Sequence, residues 1–263
     1  TRGVKSRAEV DDAFGEAVAA SDINGDGYDD VIVGAPGEGV GWGARAQSNA
    51  GAVHIIYGSA AGASGTGSQW FYQNTPGWPG RAETNDRFGS SIAVSDIDGD
   101  GIGDLVVGVP GEKLGNYTEA GQVQIRYNPG NWSQTPASVQ TLYQNVAGVQ
   151  NKVETGDRFG SHLAMADVTG DGNVDLIVGV PGESIANRPN AGAVAIFKSV
   201  GGAITTAEDQ ILYANQSVFT GESEANAEFG AWFSVLNGNL IIGSPGRTVS
   251  GLANAGAFYY LDL

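Results

Sequence analysis

The sequence predicts an all-β fold made of four repeated units, and two observations carry this prediction. The dipeptide Phe-Gly recurs at spacings of 70 to 74 residues, beginning at Phe14, Phe88, Phe159 and Phe229. A period of this length is typical of an architecture with one supersecondary unit per repeat. Glycine is the commonest residue, at 42 of 263, and the short apolar segments between glycine-rich turns have the two-residue period of strands.

Each unit contains the same succession of predicted strands. Strand A follows Phe-Gly with alternating apolar residues such as Ile92 and Val94, and strand B is a β-branched run that leads into Gly-x-Pro. Strand C follows a glycine, as in 121–127, and strand D ends in Tyr-Gln or Tyr-Ala, as in 141–144. Radial repetition of four antiparallel strands defines a β-propeller, so we predict one propeller domain over residues 1–263. Its repeat units cover approximately 14–87, 88–158, 159–228 and 229–263.

An aspartate-rich loop separates strands A and B in three of the four units. In the second unit it reads Asp-Ile-Asp-Gly-Asp-Gly-Ile-Gly-Asp, and it recurs nearly intact at 22–30 and 167–175. Four carboxylates this close repel one another unless a cation lies between them, and hard oxygen ligands at alternate positions suit Ca²⁺. The predicted ligands are the carboxylates of Asp96, Asp98, Asp100 and Asp104 and the carbonyl of Ile102.

Two other interpretations of this loop are less favoured. An EF-hand starts in the same way, but it needs a bidentate acid at the twelfth position and a helix beyond it. The twelfth positions here are Val33, Val107 and Val178, each within a strand-like run. A solvated Asp-Gly turn would explain a single copy, whereas three copies at one spacing favour a metal site.

The complete motif set resembles a known family. Phe-Gly, the acidic loop and Gly-Ala-Pro at 34–36 together resemble the FG-GAP repeat of the integrin α-subunit propeller and its bacterial secreted relatives, over essentially the whole chain. The resemblance implies one Ca²⁺ in each loop that retains the ligands. Carried over by position, the further implied ligands are Asp22, Asn24, Asp26, the Tyr28 carbonyl and Asp30, and then Asp167, Thr169, Asp171, the Asn173 carbonyl and Asp175. Thr169 departs from the usual Asp or Asn.

The fourth unit lacks the acidic loop. The segment from Phe229 to Pro245 is six residues shorter than the one from Phe14 to Pro36. Its sequence Leu-Asn-Gly-Asn-Leu from Leu236 predicts a tight type I′ hairpin turn. We therefore expect three Ca²⁺ sites and none in the fourth unit.

Charge and hydropathy limit the possible partners. The formal net charge of −16 argues against nucleic acid or an anionic membrane surface, because both are polyanionic. No apolar run approaches the 18 residues of a membrane-spanning helix, so no membrane insertion is expected. The chain has no cysteine, and bound calcium would supply the stabilisation that disulfides give other extracellular modules. A secreted, extracellular location is expected.

A candidate ligand-binding surface lies opposite the acidic loops. In an antiparallel blade the A-to-B and C-to-D loops share one end, and the B-to-C and D-to-A loops share the other. The second end carries aromatic and basic residues that suit an interaction surface, namely Trp42, Arg45, Trp78, Arg81, Tyr117 and Arg188. The alternative for the tryptophans is packing between blades.

These features favour a calcium-binding, non-catalytic interaction module of the adhesion and recognition type, which presents loops to a protein or glycan ligand. One alternative is a lectin-like propeller with sugars stacked on Trp42 or Trp78. Another is an accessory part of a secreted hydrolase whose catalytic residues lie elsewhere. Fold alone does not decide among the three.

The ends of the chain suggest an incomplete propeller. Residues 1–15 align without a gap on 75–89, and the chain stops within strand C of the fourth unit. One D strand is therefore missing, and an unpaired strand edge is normally covered. Because FG-GAP propellers usually have seven blades, we expect these four to belong to a larger propeller that another chain or segment completes. The alternative is a closed four-bladed ring.

Overall fold

The structure is a computed structural model that describes residues 4, 6–41, 46–128, 132, 138–219 and 221–262. Every helix or strand among them is a β-strand, so the all-β prediction is confirmed. Blade 1 contains β1 (Val18–Ser21), β2 (Asp30–Ala35), β3 (Ala52–Ile56) and β4 (Gln69–Phe71). Blade 2 contains β5 (Ser91–Ser95), β6 (Asp104–Val109), β7 (Gln122–Tyr127) and β8 (Ser138–Leu142).

The last two blades depart from this pattern in small ways. Blade 3 contains β9 (Leu163–Ala166), β10 (Asp175–Val180), β11 (Ala193–Phe197) and β14 (Gln210–Leu212), with a small extra hairpin of β12 (Ser199–Val200) and β13 (Ala203–Ile204). Blade 4 contains β15 (Trp232–Leu236), β16 (Asn239–Ser244) and β17 (Ala257–Leu261). Each sheet is an antiparallel meander in chain order, so the predicted strands A to D are confirmed, including the three-stranded fourth blade.

The blades pack face to face, and their first strands contact one another in the order β1, β5, β9 and β15. The second strand of each blade lies between two strands of its own sheet, and in blades 2 and 3 it also lies between two neighbouring blades. For this reason every residue of β6 and of β10 is buried. The continuous apolar runs that predicted strand B are therefore the runs that face blades on both sides.

The glycine of Gly-x-Pro is required where two blades meet. A Cβ on Gly34 would lie 2.0 Å from the carbonyl oxygen of Gly89, which belongs to the Phe-Gly of blade 2. The same approach recurs between Gly108 and Gly160, at 2.1 Å. Each repeat is thus fitted to the next through backbone contact, which explains why Phe-Gly and Gly-x-Pro occur together.

The two outer faces of this blade stack expose residues that are buried between the inner blades. Phe258 of β17 is 75% exposed, whereas Val53 and Val123, at the corresponding position of strand C, are fully buried. At the opposite face Phe14 is 46% exposed, whereas Phe88 is fully buried. No closed ring is detected among the described strands, so the four-bladed ring is not supported.

We expect these two outer faces to be covered by further blades or by another chain. The isolated chain should therefore form an open arc or associate through these faces. Association is favoured because burying a phenylalanine contributes roughly 1.5–3 kcal/mol. Phe258→Ser should then weaken association by roughly 10- to 100-fold without loosening the blades. Native mass spectrometry measures the association, and small-angle scattering measures the compactness of the chain. A compact monomer of 26.9 kDa, insensitive to this substitution, would contradict the expectation.

Candidate metal loops and the opposite loop face

Three acidic loops lie between the first and second strands of blades 1, 2 and 3, at the same end of the stack. They cover 22–29, 96–103 and 167–174. In the second loop Gly99 and Gly101 have φ values of 79° and 90°, a region that glycine adopts without the strain imposed by a Cβ. The backbone therefore turns tightly enough for alternate side chains to converge.

The first aspartate of each loop holds the turn together from inside. Asp96 Oδ1 accepts a hydrogen bond from the N–H of Gly99 at 2.7 Å, and Oδ2 accepts one from Gly101 at 2.9 Å. Asp22 and Asp167 make the corresponding bonds in their own loops. These bonds fix the carboxylates. Each Oδ1 also accepts a further N–H of its loop, whereas each Oδ2 accepts a single bond and keeps a lone pair available to a metal ion.

The second loop brings three of its predicted ligands together. One carboxylate oxygen from each of Asp96, Asp98 and Asp100 lies within 4.8 Å of the others. Two oxygens no farther apart than this can both lie about 2.4 Å from one ion, within the range of Ca²⁺–oxygen bonds. The donor set therefore fits Ca²⁺, whose charge would offset the repulsion among the three carboxylates.

The fifth position of each loop also orients the predicted carbonyl ligand. Asp100 Oδ1 accepts a hydrogen bond from the N–H of Ile102 at 2.8 Å. The same bond is made by Asp26 to Tyr28 at 3.0 Å and by Asp171 to Asn173 at 2.9 Å. The third position differs among the loops. In the first loop it is Asn24, whose Nδ2 lies 3.1 Å from Asp26 Oδ2. In the third loop it is Thr169, which is half-buried and offers a hydroxyl oxygen.

The ninth-position aspartates have a structural role that the sequence did not reveal. Asp30, Asp104 and Asp175 are all 0% exposed. Asp104 Oδ2 accepts a hydrogen bond from the N–H of Ile97 in the loop, at 2.9 Å. Its Oδ1 accepts one from Asn128, just after strand C, at 2.8 Å. Each of these aspartates thus links the acidic loop to the rest of its blade.

Burial makes the charge on Asp30 and on Asp104 costly. Burial raises the pKa of Asp104 to about 6, and the negative charges of Asp98 and Asp100 act in the same direction. The pKa of Asp30 is also raised, chiefly by burial. A divalent cation in the loop would favour the ionised carboxylates, so the electrostatics of these loops are consistent with metal binding.

The first two strands of blade 4 are joined by a short turn. Asn237 and Gly238 have φ values of 53° and 80°, and Leu236 pairs with Asn239 across the turn. Positive φ at both central residues defines the type I′ hairpin, so the predicted turn is confirmed.

The opposite loop face carries three of the predicted ligand-binding residues in accessible positions. Arg81 is exposed and lines an open cleft with Tyr72, and Tyr117 is 45% exposed. Arg188 is half-buried, with its Nη2 4.0 Å from Glu222 Oε2. Trp42 and Arg45 lie outside the described residues.

For Trp78 the structure supports the packing alternative. This side chain is only 6% exposed, and its ring lies 5.2 Å from Phe88 and 6.2 Å from Phe71 between blades 1 and 2. A residue enclosed in this way cannot present its ring to a ligand on the surface. We therefore assign Trp78 to the core and not to the binding face.

A buried arginine explains why so many aromatic rings gather there. Arg126 is 1% exposed, and its guanidinium carbon lies 4.5 Å from the ring centre of Trp132, 5.2 Å from Phe71 and 5.8 Å from Trp78. Burial lowers its pKa to about 10, so it stays charged at pH 7 and interacts with the ring faces. The sequence signal was one basic residue at an otherwise apolar strand C position.

Two further arginines on the opposite loop face were not singled out from the sequence. Arg87 and Arg158 each precede a Phe-Gly and line a cleft of about 370 Å³. Arg87 Nη2 lies 3.5 Å from Glu16 Oε1, and Arg158 Nη2 lies 3.1 Å from Glu228 Oε1. Their recurrence before Phe-Gly was the signal that could have identified them.

Repeated four-stranded blades with an acidic loop between the first two strands define a β-propeller-type protein with candidate calcium loops. The FG-GAP repeat family matches residues 14–56, 88–125 and 159–197. The chain therefore contains three FG-GAP repeats, as the sequence motifs indicated.

Similar proteins fall into two groups. The chain is 31% identical over 248 residues to phosphatidylinositol-glycan-specific phospholipase D of Dictyostelium discoideum, covering 88% of this chain and 25% of that protein. It is 32% identical to the Bos taurus protein of the same name, covering 88% and 26%. It is 28% identical over 211 residues to integrin alpha-8 of Homo sapiens, covering 78% and 17%. The chain thus spans about a quarter or less of these relatives.

The described residues include no helix that is long and apolar enough to cross a membrane.

Proposed function

We propose that this chain is a calcium-stabilised, non-catalytic interaction module of an extracellular protein. The observation that carries the proposal is the convergence of Asp96, Asp98 and Asp100 within 4.8 Å of one another, in a loop that recurs in three blades. Calcium at extracellular concentrations would then hold the loops that join strands A and B. The sequence similarity to integrin alpha-8 supports a recognition role.

We place the ligand on the opposite loop face, where Arg81, Tyr117 and Arg188 are accessible. Arginine and tyrosine are enriched at protein interfaces, because each combines a large contact area with a hydrogen-bonding group. The acidic loops, at the other end, would stabilise the blades that present this face. Either a protein or a glycan ligand fits this surface. If the ligand is a protein, the function is of the adhesion type.

A second candidate function is supported by the other group of relatives. A match over 88% of this chain to proteins named phosphatidylinositol-glycan-specific phospholipase D suggests an accessory propeller within a larger hydrolase. In that case the catalytic residues lie outside this chain. The isolated chain should release no product from phosphatidylinositol-glycan in either case, and release would contradict a non-catalytic module.

A binding screen tests the proposed face. Immobilised chain in 1 mM CaCl₂ is offered a glycan array and a panel of extracellular proteins, and the double change Tyr117→Ala and Arg188→Ala should weaken capture by about 10-fold or more. Asn237→Gly, in the short turn at the metal end, is the matched control and should bind normally. Capture by the array alone would favour the lectin-like alternative. Capture unchanged in the double variant would refute the proposed face.

A further inference from the structure

A second group of carboxylates lies at the end of blade 3 opposite its acidic loop. One oxygen from each of Glu154, Asp157 and Glu183 lies within 4.8 Å of the others; we call these residues the blade 3 carboxylate cluster. Asp157 is 0% exposed and Glu183 is 1% exposed, whereas Glu154 is exposed. The cluster is therefore enclosed by the blade but reaches solvent through Glu154.

Two buried oxygens at this cluster have no hydrogen-bond donor. Asp157 Oδ2 accepts the N–H of Glu154, but Asp157 Oδ1 is buried without a partner. Gln144 donates its amide N–H to Glu183, and its own Oε1 is buried without a partner. Buried polar atoms are nearly always satisfied in proteins, so the unpaired Asp157 Oδ1, beside two further carboxylates, points to a missing positive group.

The electrostatics agree with this geometry. Burial, followed by the negative charges of Glu183 and Glu154, raises the pKa of Asp157 to about 8. The described charges that act on it most strongly are thus other carboxylates, and they oppose its ionisation. A cation bound among the three would reverse that opposition.

Blade 2 shows how the corresponding glutamate is held without a cation, although Gln73 Oε1, the counterpart of Gln144 Oε1, is also buried without a partner. Glu112, which corresponds to Glu183, accepts hydrogen bonds from Gln73 at 2.7 Å and from Gln122 at 2.9 Å. In blade 3 the residue at the position of Gln122 is Ala193. The second amide on the blade 3 glutamate is instead that of Asn151, whose side chain hydrogen-bonds to Glu183, so the buried carboxylate oxygen without a donor at this cluster is Asp157 Oδ1.

Blade 4 shows a cation built into the corresponding place. Arg247 occupies the position of Glu183, and Ala227 occupies that of Asp157. Arg247 Nη1 lies 3.1 Å from Oε2 of Glu224, which corresponds to Glu154. Blade 4 thus retains one of the three acids, Glu224, and the guanidinium of Arg247 neutralises it. This position of the blade therefore accommodates a positive charge.

We propose that the blade 3 carboxylate cluster is a fourth Ca²⁺ site, separate from the three acidic loops. Three carboxylates with an open side toward solvent suit Ca²⁺, which accepts irregular coordination by six to eight oxygens, better than Mg²⁺, which demands near-ideal octahedral geometry. Glu154, Asp157 and Glu183 supply the charged ligands, and water reaches the ion from the exposed side of Glu154. The bound ion ties the loop before strand A to the end of strand B.

Anomalous diffraction at long wavelength from crystals grown in CaCl₂ tests this proposal. A calcium peak is expected among Glu154, Asp157 and Glu183. The matched variant transfers the blade 4 residues by Gln144→Ala, Asp157→Ala and Glu183→Arg, which replaces the ion with a guanidinium. This variant should lose the peak at the cluster and keep every peak at the acidic loops.

Each outcome decides the matter. Wild-type crystals with peaks at the loops and none at the cluster would overturn the proposal, and would indicate that a proton is shared there instead. A cluster peak that survives the triple change would also overturn it. If the triple variant does not fold, Glu154→Gln, at an exposed position, should reduce the peak height at the cluster alone. Empty loops beside a calcium peak at the cluster would count against the proposed function, not this site.

Discussion

Removal of calcium is expected to lower the melting temperature of this chain by about 8–16 °C. Each acidic loop, with a dissociation constant of roughly 10⁻⁴ M, contributes about 1.4 kcal/mol in 1 mM Ca²⁺, and three contribute about 4 kcal/mol. For a domain of about this size, 1 kcal/mol corresponds to about 2–4 °C. Calorimetric melts with and without a chelator measure the shift. A melting temperature indifferent to the chelator would contradict the role proposed for the loops.

Two substitutions separate the individual loops in the same experiment. Asp98→Ala should weaken one site in a calcium titration, because it removes one of three converging carboxylates. Thr169→Asp should strengthen another, because it supplies the carboxylate that the third loop lacks. Asn237→Gly keeps the positive φ of the blade 4 turn and should leave the titration unchanged.

Trp78→Ala is expected to destabilise the fold by about 3–5 kcal/mol, as large-to-small changes at buried aromatic residues do. The substitution leaves a cavity between blades 1 and 2 and removes one of three rings that surround the guanidinium of Arg126. Urea unfolding curves at constant calcium measure the loss.

Tyr117→Ala is the matched control for this measurement. Tyr117 is 45% exposed, so its truncation should change the free energy of unfolding by no more than about 0.5 kcal/mol. If Trp78→Ala instead leaves stability intact and abolishes capture of a ligand, then Trp78 belongs to the binding face after all, and its assignment to the core is wrong.

The sequence alone determined the repeat, the strands and the composition of the acidic loops. These features are local, because a two-residue period, a β-branched run or an Asp-Gly spacing reports the conformation of its own segment. The shortened fourth unit was identified in the same way, since the dipeptide Asn237-Gly238 by itself favours the type I′ turn.

The tertiary structure decided which side chains are enclosed. Phe14 and Phe88 occupy the same position in the repeat, yet they are 46% and 0% exposed, because a described blade packs against only the second. Trp78 is buried for the same kind of reason, since its partners Phe88 and Arg126 come from the next blade. Burial depends on a neighbour one whole repeat away, and no pattern within a single segment reports that neighbour.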